Sequence, residues 1–180
     1  MSAMADLGAI FDEHVASEFV AKDVDATMRT MTADPYVWHV PPLTGGSGGR
    51  QVREFYASQF VGHTPADAVL HPVGRTVSQD RVIDEFVFEF THDSELPWML
   101  PRVAPTGRHV RIPMVVVMGF EEDKVAYEHI YWDQASVLAQ IGLIDEAMLP
   151  VVGREQARKV LDKTLPSNTR MARWKDSEGK

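Results

Sequence analysis

The chain has 180 residues, a formal net charge of −8 at pH 7, 44% hydrophobic residues and no cysteine. That length and apolar content suit one domain with a real core, and the missing cysteines exclude disulfides, thiol nucleophiles and thiolate metal sites. The negative balance, without a basic stripe, argues against nucleic acid; no run of eighteen apolar residues marks a membrane helix, and MSAMADLGAIFDEH lacks the basic start of a signal peptide, so a cytoplasmic protein is expected.

Leu7, Ile10, Phe11, His14, Val15 and Phe19 recur at helical spacing and predict an N-terminal helix with Asp6 as its cap. A short helix from Asp23 through Met31 should end before Asp34-Pro35, because proline is excluded from helix interiors. Tyr36 to Val40 reads as a short strand stopped by Pro41-Pro42. The glycines at 45–49 read as a flexible loop, and Val52, Phe55, Tyr56 and Phe60 give the following helix a buried face.

From residue 68 the period changes to two. Ala68 to Ser78, Arg81 to His92, His109 to Phe120 and Lys124 to Trp132 read as four long strands, with hairpin turns at Gln79-Asp80 and Glu122-Asp123. The long connection from Asp93 to Arg108 carries Trp98, Met99 and Leu100, and so many apolar residues in a loop suggest that it covers something. Val137, Leu138 and Ile141 mark a helix closed by Gly142. After Pro150 one more helix, Arg154 to Lys163, precedes a polar tail. This divides the chain into a main unit, 1–150, and a C-terminal helix and tail, 151–180. Helices first and long antiparallel strands afterwards predict an α+β fold: a curved antiparallel sheet wrapped around N-terminal helices, a cone-like barrel with an apolar pocket at its open end.

Four local motifs stand out in chain order: Asp23-Val24-Asp25-Ala26, Thr91-His92, Pro105-Thr106-Gly107-Arg108, and Asp133 followed by Val137-Leu138, Gln140, Ile141 and Gly142. In this order they resemble the SnoaL-like polyketide cyclases of the nuclear transport factor two-like superfamily. The resemblance spans roughly residues 6 to 145. It implies the cone-shaped fold and, in the family's cyclases, an aspartate ending the last strand that acts as general acid/base on a bound polyketide with no metal or cofactor. Asp133 matches that position. His129 stands where the family pattern has tryptophan, and the segment from Asp93 to Ala104 is longer than usual.

By strand alternation Val125, Tyr127, His129, Tyr131 and Asp133 share one face, bringing an imidazole, a phenol and a carboxylate into one line. These are the parts of a proton-transfer site, with Asp133 as the base and His129 and Tyr131 stabilising an oxyanion. Two alternatives stay open. Asp133 caps the helix from Gln134 and His129 is a core residue, or a bulge turns Glu128, Ile130 and Trp132 inward instead.

On the second long strand Phe86, Phe88 and Phe90 read as core, and Glu85 and Glu89 as solvated. Tyr36, Trp38, Phe60, His92, Trp98, Met99 and Trp132 are expected to line the pocket. The glycine loop lacks a P-loop lysine, the histidines show neither HExxH nor HxH, and no G-x-S-x-G is present, so no metal or nucleotide is expected. The expectation is a homodimer, joined through the outer face of the sheet, that takes a small hydrophobic molecule. It is read as a cofactor-independent enzyme, cyclase- or isomerase-like, using general acid/base catalysis on a small apolar carbonyl-type substrate. The competing reading is a non-catalytic protein that binds such a ligand.

Overall fold

A computed structural model of the chain describes residues 6–171. Helix α1, Leu7–Ala16, begins where the Asp6 carboxylate accepts the Ala9 N–H at 3.1 Å, and buries Leu7, Phe11 and His14. It then widens into a π-type turn, Ser17–Ala21, and stops at Lys22 in the left-handed region. The short helix α2, Val24–Arg29, has its own cap, Asp23, which accepts the Ala26 N–H at 3.0 Å.

Strand β1, Met31–His39, is longer than the sequence suggested and runs through Asp34-Pro35. The pairing is irregular between Met31 and Tyr36, which is how a strand accommodates a proline that cannot donate to the ladder. The glycine segment expected to be a flexible loop is instead an edge strand, β2, Thr44–Ser47, antiparallel to β1. Glycine permits this close approach: a Cβ on Gly45 would lie 1.8 Å from the Val37 carbonyl oxygen. Helix α3, Gly49–Phe55, continues into a second π-type turn, Tyr56–Phe60, and buries Val52, Phe55, Tyr56 and Phe60.

The four long strands form nearly where the period-two pattern placed them: β3, Val69–Val77; β4, Arg81–Thr91; β5, His109–Glu121; and β6, Lys124–Trp132. The sheet order is β2-β1-β6-β5-β4-β3, so the sheet is unclosed, with β2 and β3 as its edges. Every pairing is antiparallel except β1 with β6, which is parallel; β2, α3 and β3–β5 lie in the long connection that such a pair requires. The N-terminal helices pack on the inner face, making the mixed α+β cone. Leu96, Trp98, Met99 and Leu100, from the long connection, are buried in its core.

After β6 come α4, Gln134–Gln140, and α5, Glu155–Leu161. Val87 points to the outer face by alternation yet is fully buried; α5, whose Ala157 is also fully buried, packs against β4 and β5 there. No helix among the described residues is long and apolar enough to cross a membrane.

One irregularity decides which side chains enter the cone. Gly119 faces Tyr127 and Phe120 faces Val125, so Ala126 is an extra residue in β6. Such a bulge reverses the alternation beyond it. Val125 and Glu128 consequently both point inward.

Candidate functional site

A cavity of about 70 Å³ lies between the helices and the sheet. Its walls are apolar: Phe19 and Phe60 from the two π-type turns, Phe86 and Phe88 from β4, Met114 and Val116 from β5. Both π-type turns thus fall where helix residues meet the cavity, a recurrent position for such turns. At the rim Asp84 pairs with Arg75 at 2.8 Å, and the Arg75 guanidinium lies 4.5 Å from the centre of the Phe11 ring.

Beside and within this cavity, a cluster of polar groups is assembled from three helical segments and two strands, with His14 just behind the lining residues. His14 and Glu18 are four residues apart and share one helix face; Glu128 enters from β6, Tyr56 from the α3 extension and His39 from β1. His14 Nε2 lies 3.0 Å from Glu128 Oε1 and 3.2 Å from Glu18 Oε1. The Tyr56 hydroxyl donates to the same Glu128 Oε1 at 2.7 Å, so the second oxygen of that carboxylate takes neither bond. On its other side His14 Nδ1 is 2.6 Å from Thr30 Oγ1. That hydroxyl already donates to the Thr27 carbonyl at 2.7 Å, which leaves it only lone pairs for His14. Nδ1 therefore carries a proton, and Nε2 is the variable position.

Burial sets the charges of this cluster against each other. For His14 burial alone would favour the neutral ring, but Glu18 and Glu128 outweigh it and raise its pKa to about 10. Burial raises the Glu18 pKa despite the neighbouring imidazolium. Burial also opposes ionisation of Glu128, yet His14 and the Tyr56 hydroxyl together hold it below the usual glutamate value. The resulting state is a His14 cation, a Glu128 anion, and Glu18 as the carboxyl that keeps its proton to higher pH. Burial, then the charge of Glu128, keeps the Tyr56 phenol protonated. His39, boxed by Phe55, Phe60, Trp98 and Trp132 at centroid distances of 5.1–5.9 Å, is pushed by burial down to about 4. The ligand atoms of His14, Glu18 and Glu128 lie within 4.8 Å of one another, so this trio is also the place where a divalent cation could be held.

The residues expected from the sequence fall into two groups. Phe60 and Trp98 line the cavity, and Trp132 packs edge-on against Trp98 at a centroid distance of 6.0 Å. Met99 is fully buried in the core without lining the cavity. His92 is also buried, paired through Nδ1 with Thr106 Oγ1 at 3.1 Å, and lies outside the cavity.

Tyr36, Trp38, His129 and Tyr131 are on the opposite face of the sheet. Tyr36 stacks on Tyr127 at 5.2 Å, Trp38 pairs with His129, and Tyr131 is 43% exposed. Asp133 is exposed and caps α4, accepting the Ser136 N–H at 3.2 Å and a bond from Gln156. The expected line of Asp133, His129 and Tyr131 inside the cone is therefore not present: the Ala126 bulge carries it outside and brings in Glu128. Sequence reasoning missed His14, Glu18, Tyr56 and His39 as site residues. The His14/Glu18 spacing was the signal available, since it places a second polar group on an otherwise apolar helix face.

Comparison with known proteins agrees with this architecture. Residues 11–128 match the family profile described as the SnoaL-like domain. Among solved structures, a candidate SnoaL-like polyketide cyclase from Jannaschia sp. CCS1 is 20% identical, with a TM-score of 0.60 over 81% of this chain and 100% of that one. A protein from Catenulispora acidiphila with a ketosteroid isomerase-like fold, solved in complex with trimethylamine, is 18% identical, with a TM-score of 0.56 over 79% and 96%. The epoxide hydrolase/cyclase-like enzyme SalBIII, of pyran ring formation in salinomycin, is 19% identical, with a TM-score of 0.52 over 70% and 89%. At these identities the likeness is one of fold. No curated protein matches the chain.

Proposed function

This chain belongs to the SnoaL-like domain family, and we propose that its cone is an acid/base site acting on a small apolar carbonyl-type molecule. The observation that carries the reading is one imidazole locking two buried carboxyl groups whose acidities move in opposite directions at an apolar cavity. Divergent acidities in neighbouring groups are the usual mark of an acid and a base in one site. Glu128, ionised, removes a proton through the oxygen that neither His14 nor Tyr56 holds. Glu18, protonated, returns one. His14 orients both, and the Tyr56 hydroxyl fixes the Glu128 carboxylate. The aromatic walls exclude water, which keeps these interactions strong.

Exchange of the acidic C–H protons of 2-cyclohexen-1-one into deuterated water, followed by proton NMR, tests this. The wild type should accelerate exchange, and Glu128→Gln and Glu18→Gln should each remove most of the acceleration. A ketone held with no exchange above buffer would mean a binding pocket and not an enzyme. Because the side chains themselves supply acid and base, EDTA should leave the rate unchanged. Loss on chelation and recovery with a divalent ion would move the chemistry to a cation on His14, Glu18 and Glu128.

A further inference from the structure

The cavity wall contains a polar group that the acid/base reading does not use. His39 is 3% exposed, and its Nδ1 has no hydrogen-bond partner among the described residues. His92 Nε2 is also buried without a hydrogen-bond partner among the described residues, but His92 does not line the cavity, and the Arg111 Nε lies 2.9 Å from Glu89 Oε2. A buried polar atom left unpaired is costly, so such a group calls for an explanation, of which a ligand is one. Phe55, Phe60, Trp98 and Trp132 hold the ring by its faces and edges and offer it no acceptor; the two indole N–H groups are donors, spent on the His63 carbonyl and Gln134 Oε1.

Strand register places this ring relative to the carboxylates. Val37 pairs with Glu128 and His39 with Ile130, so His39 stands one inward-facing step beyond Glu128 on the adjacent strand. That step is about 7 Å along the strand. The acidic side chains Glu18, Asp84 and Glu128 line the cavity, and among the described residues no lysine or arginine does; Arg75 at the rim is held by Asp84 and Asp12. The His14 cation is already held between Glu128 and Glu18.

We propose that His39 is the polar anchor of the ligand, donating a hydrogen bond to the carbonyl oxygen of a small uncharged molecule, and that the cavity rejects the anionic counterpart. The ring stays neutral well below pH 7 because burial disfavours its charged form, so it binds an oxygen without attracting a carboxylate. An anion would meet the Glu128 charge with no free cation to offset it. This deepens the acid/base reading by naming its substrate class, although the binding step stands without turnover.

The test compares 2-cyclohexen-1-one with 1-cyclohexene-1-carboxylate, binding to the full chain at pH 7, by NMR titration and by the infrared carbonyl stretch of the bound ketone. The ketone should bind with a lowered stretch, and the carboxylate at least tenfold more weakly. His39→Phe keeps the aromatic box; it should weaken ketone binding about tenfold, the size of one hydrogen bond, and return the stretch to its value in apolar solvent. His39→Gln, which retains an N–H donor, should recover part of the lowered stretch. An unchanged stretch in His39→Phe, equal binding of the carboxylate, or no binding of the ketone would each overturn the assignment. Glu128→Gln should keep the lowered stretch, so absent proton exchange with the stretch intact sinks the catalytic reading and leaves the anchor standing.

Discussion

The two faces of β6 differ sharply in burial and in what their polar groups touch. Inward, Glu128, Ile130 and Trp132 are buried, and Glu128 belongs to a network of hydrogen-bonded ionisable groups. Outward, Tyr127, His129 and Tyr131 form an aromatic row against Tyr36, open to solvent in part. By composition the outer row looks more like a catalytic site, with its imidazole and phenols. The contrast teaches that residue type marks chemistry only after burial has been assigned, because a carboxylate or imidazole acquires an unusual acidity by losing water.

The largest expected effect breaks the comparison outright. Glu128→Gln should lower ketone proton exchange by about 10²- to 10⁴-fold, the usual contribution of a positioned acid or base, whereas His129→Gln should leave it within about twofold. Equal losses from the two would erase the distinction between the faces.

Stability gives the next test. His14→Gln removes the cation between two buried carboxyl groups and should cost about 3–5 kcal/mol, a fall of roughly 10 °C in Tm by calorimetry. A loss below about 1 kcal/mol would mean that the cluster is solvated.

The pH dependence sharpens the same point. The folded His14 pKa of about 10 lies above the ordinary value of 6.5, so its contribution is complete below about pH 6.5 and is lost as the pH rises towards 10. Glu18, also raised, ionises more readily unfolded than folded, so its contribution declines as the pH rises above the ordinary value of 4.5. Denaturant titrations from pH 6 to 10 should show wild-type stability falling, with a visibly shallower slope in His14→Gln.

Smallest of all, Asp133→Ala should cost about 1 kcal/mol, the value of a helix cap, with proton exchange unaltered. A large loss of exchange would return Asp133 to the chemistry.

Much of the architecture was legible before the structure. Strand β6 occupies Lys124–Trp132 as its alternation indicates, and the cap Asp6 acts where it was expected. These features follow from local pattern and a single side chain. The candidate site was less legible because it depends on contacts across 114 residues, between His14 and Glu128, and on one extra residue in a ladder. Counting outward from apolar Val125 assigns Tyr127 and His129 to the core; only the pairing of Phe120 with Val125 and Gly119 with Tyr127 shows that the count restarts at Ala126. A glycine in β5 was the available hint, since a Cβ at position 119 would fall 2.0 Å from the Tyr127 ring. The edge strand β2 was hidden in the same way, by glycines that read as flexibility and serve as clearance.

The Thr27 carbonyl sits at the end of α2, a helix of only six residues, and through Thr30 it dictates which nitrogen of His14 bears the fixed proton. The proton inventory of the cone is thereby tied to the integrity of a helix terminus at its periphery. Fraying of that last turn would free the threonine hydroxyl to rotate, and His14 Nδ1 would lose the acceptor that fixes its proton. A short, unremarkable helix thus acts as the tuning peg of a buried titration, and its breathing would be audible in the site's acidity before any larger part of the molecule moved.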